Sequence, residues 1–400
     1  MQSHCFIIDG ELYMNNIKKR YEDNANFRLI VQILMIFVLS RIFLAAMVPV
    51  YNTIMGTSRS FSFLMNQWDA KKYWFIIENG YTYPLDTDPQ ANWAFFPLYS
   101  LVCMGLKFVT FGIIDTYWIG MIVSNICIFV AAFYSVKIIR NMGIVKADEG
   151  LLLAVIMLAG PYTFYCSSVY TEAMFIMFIV LFFFFLQKKQ FMVAGFMAAC
   201  ASGTRIVGCT LVFALLIDIY IDFTEKNNSK NLWSFIKHMF ATPKKIVSVF
   251  LCPFGTFAYM FFLWFFCGDV WAFKNVQIAW REDTFFPIIG VLWEACTGQI
   301  EPRYTYMGWI CIAVLALYGY MIYRRFYSMA VFGIIALLIP LTSHVMSTCR
   351  FIVGTFVVFV GLYDLLARSK KQVRFAVLFA MAVWEVILVF MWYNSDCWLL

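Results

Sequence analysis

Apolar runs close to 20 residues long recur from residue 28 to residue 393, and no other feature constrains the fold of this chain as strongly. A helix of about 20 apolar residues spans the ~30 Å hydrocarbon core of a bilayer. Eleven such segments are expected to be spans: 28–50, 117–139, 150–166, 169–187, 191–205, 206–222, 245–267, 306–323, 328–343, 351–367 and 374–393. The pair at 191–222 is short for two crossings and is expected to be two broken or tilted halves, with Ser202, Gly203 and Thr204 at the break. Charged residues are only 13% of the chain, against roughly 25% in soluble domains. So few charges could not cover a soluble fold of 400 residues. The apolar share of 63% excludes intrinsic disorder. We therefore expect an all-α polytopic membrane protein: a polar tail at 1–27, read as cytoplasmic, and one transmembrane domain at 28–400. The stretch from Asp9 to Arg28 is too polar for a cleavable signal peptide.

Orientation follows from Lys and Arg, which concentrate in cytoplasmic loops. Basic clusters stand at Lys18-Lys19-Arg20, Lys137 to Lys146, Lys188-Lys189, Lys226 to Lys245, Arg324-Arg325 and Arg368 to Arg374. They fall on one face only if the further apolar stretch 97–113 does not cross. We read it as a half-inserted outer helix. The N-terminus is then cytoplasmic and the C-terminus extracytoplasmic. Two long outer segments result, 51–116 (its loop proper 51–96) and 268–305, both rich in Trp, Tyr, Asp, Glu, Asn and Pro. Long loops between closely spaced elements are usually functional, so the active site is expected on the non-cytoplasmic face. Asn227-Asn228-Ser229 has the form of a glycosylation site but falls on the cytoplasmic side of this topology.

Other classes lack support. The net charge of +7 includes no dense basic face, so no nucleic-acid partner is expected. The twelve cysteines are scattered, without a CxxC pair or zinc spacing, and read as small apolar packing residues. No repeat of the kind found in inverted-repeat transporters is visible.

The first outer loop contains Gln67-Trp68-Asp69-Ala70-Lys71-Lys72-Tyr73, then Glu78-Asn79-Gly80-Tyr81 and Ala94-Phe95-Phe96-Pro97-Leu98-Tyr99. A carboxylate at a water–lipid boundary is partly desolvated, which raises its basicity. Trp and Tyr give flat faces for sugar rings, and equally well form an interfacial aromatic belt. The string W-D-A-x-x-Y-x-x-I-x-x-x-G-Y followed by A-F-F-P-L-Y resembles the PIG-V family, the mannosyltransferases that add the second mannose of GPI anchors, with bacterial relatives, in the GT-C superfamily. Ser168-Val169-Tyr170-Thr171-Glu172 is similar to the family's Y-S-E segment. Ser202-Gly203-Thr204-Arg205-Ile206-Val207-Gly208 is similar to its T-R-x-x-G, and Ser347-Thr348-Cys349-Arg350-Phe351 to its S-x-P-R-Y. Arg41 fits a family arginine in the first helix. Lys72 stands where the family often has His, Ser100 where it has Pro, and Cys349 where it has Pro.

The resemblance implies a GT-C-like bundle and an inverting transfer from a polyprenyl- or dolichyl-phosphate sugar to a lipid or glycan acceptor. Asp69 is then the general base, and Glu172 a second catalytic candidate or an arginine's partner. Trp68, Lys72, Tyr73, Tyr99 and Tyr170 are the implied substrate-binding residues. The leaving group is already a phosphate, so it needs cations more than a proton. Arg350, His344 and Arg205 are the candidates, arginine for its bidentate fork. No metal or cofactor is required by this chemistry. Arg41 and Glu385, near mid-membrane, are expected to pair with some internal partner, because a lone charge there costs at least about 2.5 kcal/mol. Asp269, Arg281, Glu282, Asp283, Glu301 and Arg303 are acceptor-site candidates in the second outer segment. Membrane lipids and an accessory membrane subunit complete the expected partners. The membrane is the plasma membrane for a bacterial chain and the endoplasmic reticulum for a eukaryotic one. The rival readings are the same machinery with another lipid-linked sugar, arabinosyl or galactosyl, and a transporter or lipid flippase.

Overall fold

A computed structural model describes residues 24–82, 92–144, 150–279 and 287–399. The cluster Lys18-Lys19-Arg20, Lys146, Arg281, Glu282 and Asp283 lie outside the described residues. Among those described, every regular element is helical.

The first helix, α1 (Ala25–Met55), is capped by Asn24, whose side chain accepts from the N–H groups of Asn26 and Phe27, and is closed by left-handed Gly56. Two short helices follow in the first outer segment, α2 (Phe61–Met65) and α3 (Ala70–Asn79), then α4 (Pro97–Val109). Asp115 caps α5 (Thr116–Asn141) by accepting from the N–H of Tyr117. Next come α6 (Leu151–Ala159), α7 (Glu172–Gln187), α8 (Phe191–Thr204) and α9 (Leu211–Asn227), then α10 (Leu232–Ala241), α11 (Pro243–Leu251) and α12 (Phe254–Cys267). The second outer segment carries α13 (Ala272–Asn275) and α14 (Ile288–Cys296). The chain continues through α15 (Pro302–Tyr323), α16 (Tyr327–Leu341), α17 (Thr348–Val353), α18 (Val357–Arg368) and α19 (Lys371–Tyr393).

Among the described residues, five helical stretches are long and apolar enough to cross a membrane: α1, α5, Ile206–Asn227, α15 and α19. A sixth is added if α11 and α12, bent by 52° at Cys252-Pro253, form one broken span. The protein is thus an all-helical membrane protein. Its outer faces agree: Leu39 and Ile42 on α1, Phe261 and Phe265 on α12, and Phe375 and Phe379 on α19 are exposed, a surface suited to lipid and not to water.

Several expected spans are shorter. The segment 150–166 is α-helical only to Ala159, because Gly160-Pro161 cannot continue the helix, and resumes as a short 3-10 turn at Thr163–Ser167. The segment 351–367 divides into α17 and α18 around Gly354 to Phe356. The break within 191–222 falls at Arg205, in extended conformation, and α8 runs through Ser202, Gly203 and Thr204 unbroken.

Helix α7 is the buried axis of the bundle, packed between α5 and α8, with Ile176, Ile179, Phe182 and Phe183 inaccessible. On its other side α8 presents small residues to α11 and α12. A Cβ on Gly255 would lie 2.2 Å from the carbonyl oxygen of Ala199, so the two backbones touch only because that position is glycine.

The Gly160-Pro161 break leaves backbone groups inside the bundle that must be satisfied. Arg41 donates to the Leu158 carbonyl at 3.4 Å and to Asn125 at 2.6 Å. Glu385 accepts from the Tyr162 N–H at 2.9 Å. Arg41 and Glu385 thus find internal partners on the two sides of the break, Arg41 together with Asn125 of α5.

The basic clusters gather at one end. Asp222 is ringed by Lys189, Lys226 and Lys245, and Asp364 by Arg324 and Arg368. Glu172, at the other end of α7, lies about 22 Å away by helical rise. Helix α4 begins and ends at that second end. Tyr99 donates to the Gly120 carbonyl in the second turn of α5, and Lys107 and Thr116 both bind Glu78.

Candidate functional site

The short segment before α3 is fastened to the segment before α7. Ser168 donates to the Met65 carbonyl at 2.7 Å, the Val169 N–H to the Asn66 side chain at 2.9 Å, and the Tyr170 hydroxyl to the Gln67 carbonyl at 3.0 Å. The N–H of Asp69 donates back to the Tyr170 oxygen at 3.0 Å. Trp392 and Ser395 from the C-terminal end add bonds to Met65 and Gln67. Between these anchors Trp68 is held at φ +52°, a conformation costly for a bulky side chain and kept only where surroundings enforce it. Asp69 follows it as the residue preceding α3, with its side chain free of any capping bond.

Asp69 looks into a cavity of about 1190 Å³. Four of the charges singled out in the sequence meet there in a chain. Arg350 Nη1 is 2.7 Å from Asp69 Oδ2. Arg350 Nε is 3.4 Å from Glu172 Oε1, which also takes Arg205 Nη1 at 2.6 Å. The guanidinium of Arg350 lies over the rings of Tyr170 and Phe351, and that of Arg205 over Phe175 and Phe351. Glu172 is 1% exposed. A carboxylate that deep requires partners, so it binds two arginines and fixes their spacing. Asp69 is different. Its side chain is 34% exposed, and Oδ1 has no hydrogen bond among the described residues.

Of the expected substrate-binding residues, Trp68, Lys72, Tyr73 and Tyr170 line the cavity. Tyr99 does not. It is wholly buried, bonded to Gly120 and Ser124, and reaches the site only as a ring against Tyr73. His344 is also outside the cavity lining. Its Nδ1 accepts from the N–H of Met346, and its ring packs edge-on against Tyr304. Polarity and nearness in sequence to Arg350 suggested His344, but the turn 342–347 points the imidazole toward α15. In the second outer segment Asp269 is spent on its own turn, accepting from Trp271 N–H and Asn275. Glu301 pairs with Arg303.

The remaining wall was not legible in the sequence. Lys274, Trp271, Asn275 and Gln277 come from and around α13, and Ala336, Ile339 and Pro340 from α16. The two outer segments meet in a small aromatic core of Trp93, Phe96, Tyr259, Phe273 and Val276. Tyr259 ties it by donating to the Trp93 carbonyl at 2.7 Å. Residues 92–96 and 272–276 thus lie on the same side of the bundle. Among the described residues no three His, Cys, Asp or Glu side chains converge as a metal site. No protein-family model matches the chain, and no curated protein matches it.

Such an arrangement can orient a carboxylate, leave one of its oxygens open, and present cations beside an apolar wall. These are the parts needed to deprotonate a hydroxyl next to an anionic lipid.

Proposed function

We propose that the protein is an integral-membrane glycosyltransferase that moves a sugar, mannose by the resemblance described above, from a polyprenyl- or dolichyl-phosphate donor to a lipid-linked or glycan acceptor. The observation carrying this reading is Asp69, with one oxygen held by Arg350 and the other open to a large, half-apolar cavity. The acceptor hydroxyl attacks the anomeric carbon as its proton passes to Asp69 Oδ1. The bond from that carbon to the phosphate oxygen breaks with its electron pair on the phosphate, so the anomeric centre inverts. Arg350 and Tyr170 keep the carboxylate in position, and Trp68 and Tyr73 offer faces to the sugar.

In the same reading the shorter apolar helices complete a GT-C-type bundle of about eleven crossings, with α4 half-inserted. The end carrying Asp222 and Asp364 is cytoplasmic, as is the N-terminus, and the cavity opens to the outside or the lumen. A flippase would have no need of an oriented base. Consumption of a polyprenyl-phosphate sugar by membranes lacking any gradient separates the two.

Asp69→Asn is the direct test. The amide keeps the shape but cannot take the proton, and general-base catalysis is worth roughly 10²–10⁴-fold. The variant should insert normally and lose at least about 100-fold in transfer rate, roughly 2.7 kcal/mol. Transfer by purified Asp69→Asn at near the parent rate removes the base from this position.

A further inference from the structure

The cavity is lined by five cations and two carboxylates. Both carboxylates are engaged by the arginines: Asp69 by Arg350, and Glu172 by Arg350 and Arg205. Uncompensated charge on the lining is therefore found on Lys71 and Lys274. The side chains of Lys71 and Lys274 make no ion pair or hydrogen bond among the described residues, and both residues are exposed at the rim. They come from different segments. Lys71 is on α3, two residues after Asp69. Lys274 is on α13, which Phe273 and Val276 seat in the aromatic core shared with Trp93 and Phe96. Ala336, Ile339 and Pro340 of α16 give the same cavity an apolar side.

We propose that Lys71 and Lys274, not the arginines, hold the ligand's anionic group, and that this group is the phosphate of an amphiphilic lipid whose chain lies along α16. A phosphate attracts the nearest uncompensated cations. Drawing Arg350 to it would strip Asp69 of its partner and leave the buried Glu172 with Arg205 alone, which is costly for a desolvated carboxylate. Lysines at a rim carry no such penalty and act as mobile point charges. Because Lys71 stands two residues beyond Asp69 in the first turn of α3, phosphate held there also fixes the turn that aims the base. The donor then binds before the acceptor. The assignment rests on the transferase reading only for the identity of the lipid.

The test is binding of a radiolabelled polyprenyl monophosphate to the purified full chain in detergent, with the uncharged polyprenol of equal length as control. Free inorganic phosphate is added as competitor to separate a lipid site from a simple anion site. The double variant Lys71→Ala/Lys274→Ala loses about tenfold or more in affinity for the phosphate lipid, with a flatter salt dependence. Polyprenol binding is unchanged. Arg350→Lys retains phosphate-lipid affinity within about threefold, and millimolar inorganic phosphate competes poorly. Parental affinity in the double variant, with a tenfold loss in Arg350→Lys, overturns the proposal and returns the phosphate to the arginines. Equal binding of the phosphate lipid and the alcohol by the parent protein overturns it as well. Efficient competition by inorganic phosphate overturns the lipid assignment. Sugar transfer is read separately. Lysine-dependent binding without any transfer by the parent protein would sink the enzyme and leave the clamp standing.

Discussion

The two ends of the bundle both bury carboxylates among cations, and they do so to different ends. At the basic end Asp222 and Asp364 are almost fully buried, 3% and 0% exposed as side chains. Asp222 takes three lysines. Asp364 takes Arg324, Arg368 and the Tyr320 hydroxyl at 2.7 Å. No lone pair is left facing open space, and the groups serve as knots joining α9 to α11 and α15 to α18. At the cavity end Glu172 plays the same part for Arg205 and Arg350, but Asp69 is left half-engaged on a large open volume. Identical side chains thus become structural or chemical according to how much of their hydrogen-bonding capacity the fold consumes.

That contrast is sharpest in what removal does. Replacing Asp364 by Asn leaves Arg324 and Arg368 without their shared anion; they are 20% and 53% exposed, so water takes up part of the loss and the cost stays below the roughly 3–5 kcal/mol of breaking a fully buried pair. We expect Asp364→Asn to lower the melting temperature of the detergent-solubilised protein by many degrees, with any remaining folded protein binding donor normally. Asp69→Asn should do the reverse, because Arg350 keeps Glu172 at 3.4 Å: melting moves little and transfer is lost. A stable Asp364→Asn protein, or an unstable Asp69→Asn one, would erase the distinction between the ends.

Arg350→Lys probes the joint between the two roles and is expected to have a smaller effect. The ammonium keeps the charge but cannot span Asp69 and Glu172 as the guanidinium does at 2.7 and 3.4 Å. We expect kcat to fall about tenfold, roughly 1.4 kcal/mol, with donor affinity nearly constant, because the base is less well oriented. An effect on donor KM alone would mean that Arg350 touches the phosphate and does not position Asp69.

The long spans were readable because nothing interrupts them. The runs at 28–50, 117–139, 306–323 and 374–393 reappear inside α1, α5, α15 and α19 with ends moved by a few residues and set by Asn24, Asp115 and Pro302. Apolarity alone could not show where a run stops being helical. Gly160-Pro161 and Pro253 are local signals of those stops, whereas Phe356 at φ +63° carries none. At the site, Asp69, Glu172, Arg205 and Arg350 stood out as charges beside apolar runs, where a charge needs a reason. Lys274 had no such contrast. It is one lysine in a polar, aromatic loop, and only the packing of Phe273 on Phe96 brings it to the cavity. Tyr99 and His344 show the converse failure, since position in sequence near a motif does not determine which way a side chain points.

The smallest expected effect lies between the two kinds of site. Glu78 sits on α3, nine residues beyond Asp69, and receives Lys107 from α4 at 2.5 Å and the Thr116 hydroxyl at the start of α5. It therefore fastens α4 to α3, the helix that follows Asp69, without reaching the cavity. The bond from Lys107, and after it that from Thr116, hold its carboxyl below the usual carboxylate range. With the folded value depressed, the stabilisation is present above the unfolded value, about 4.3 for glutamate, and is lost as the pH falls through the folded one. Its side chain is 27% exposed, so solvent limits the pair to about 1 kcal/mol at most. We expect Glu78→Gln to melt a few degrees below the parent at pH 7, with the gap closing below about pH 4, and to transfer sugar within about threefold of the parent rate. A gap unchanged in acid would show that the loss does not come from the charge of Glu78 and its pair with Lys107. A loss of transfer matching that of Asp69→Asn would move Glu78 from the fastening of α4 to the chemistry.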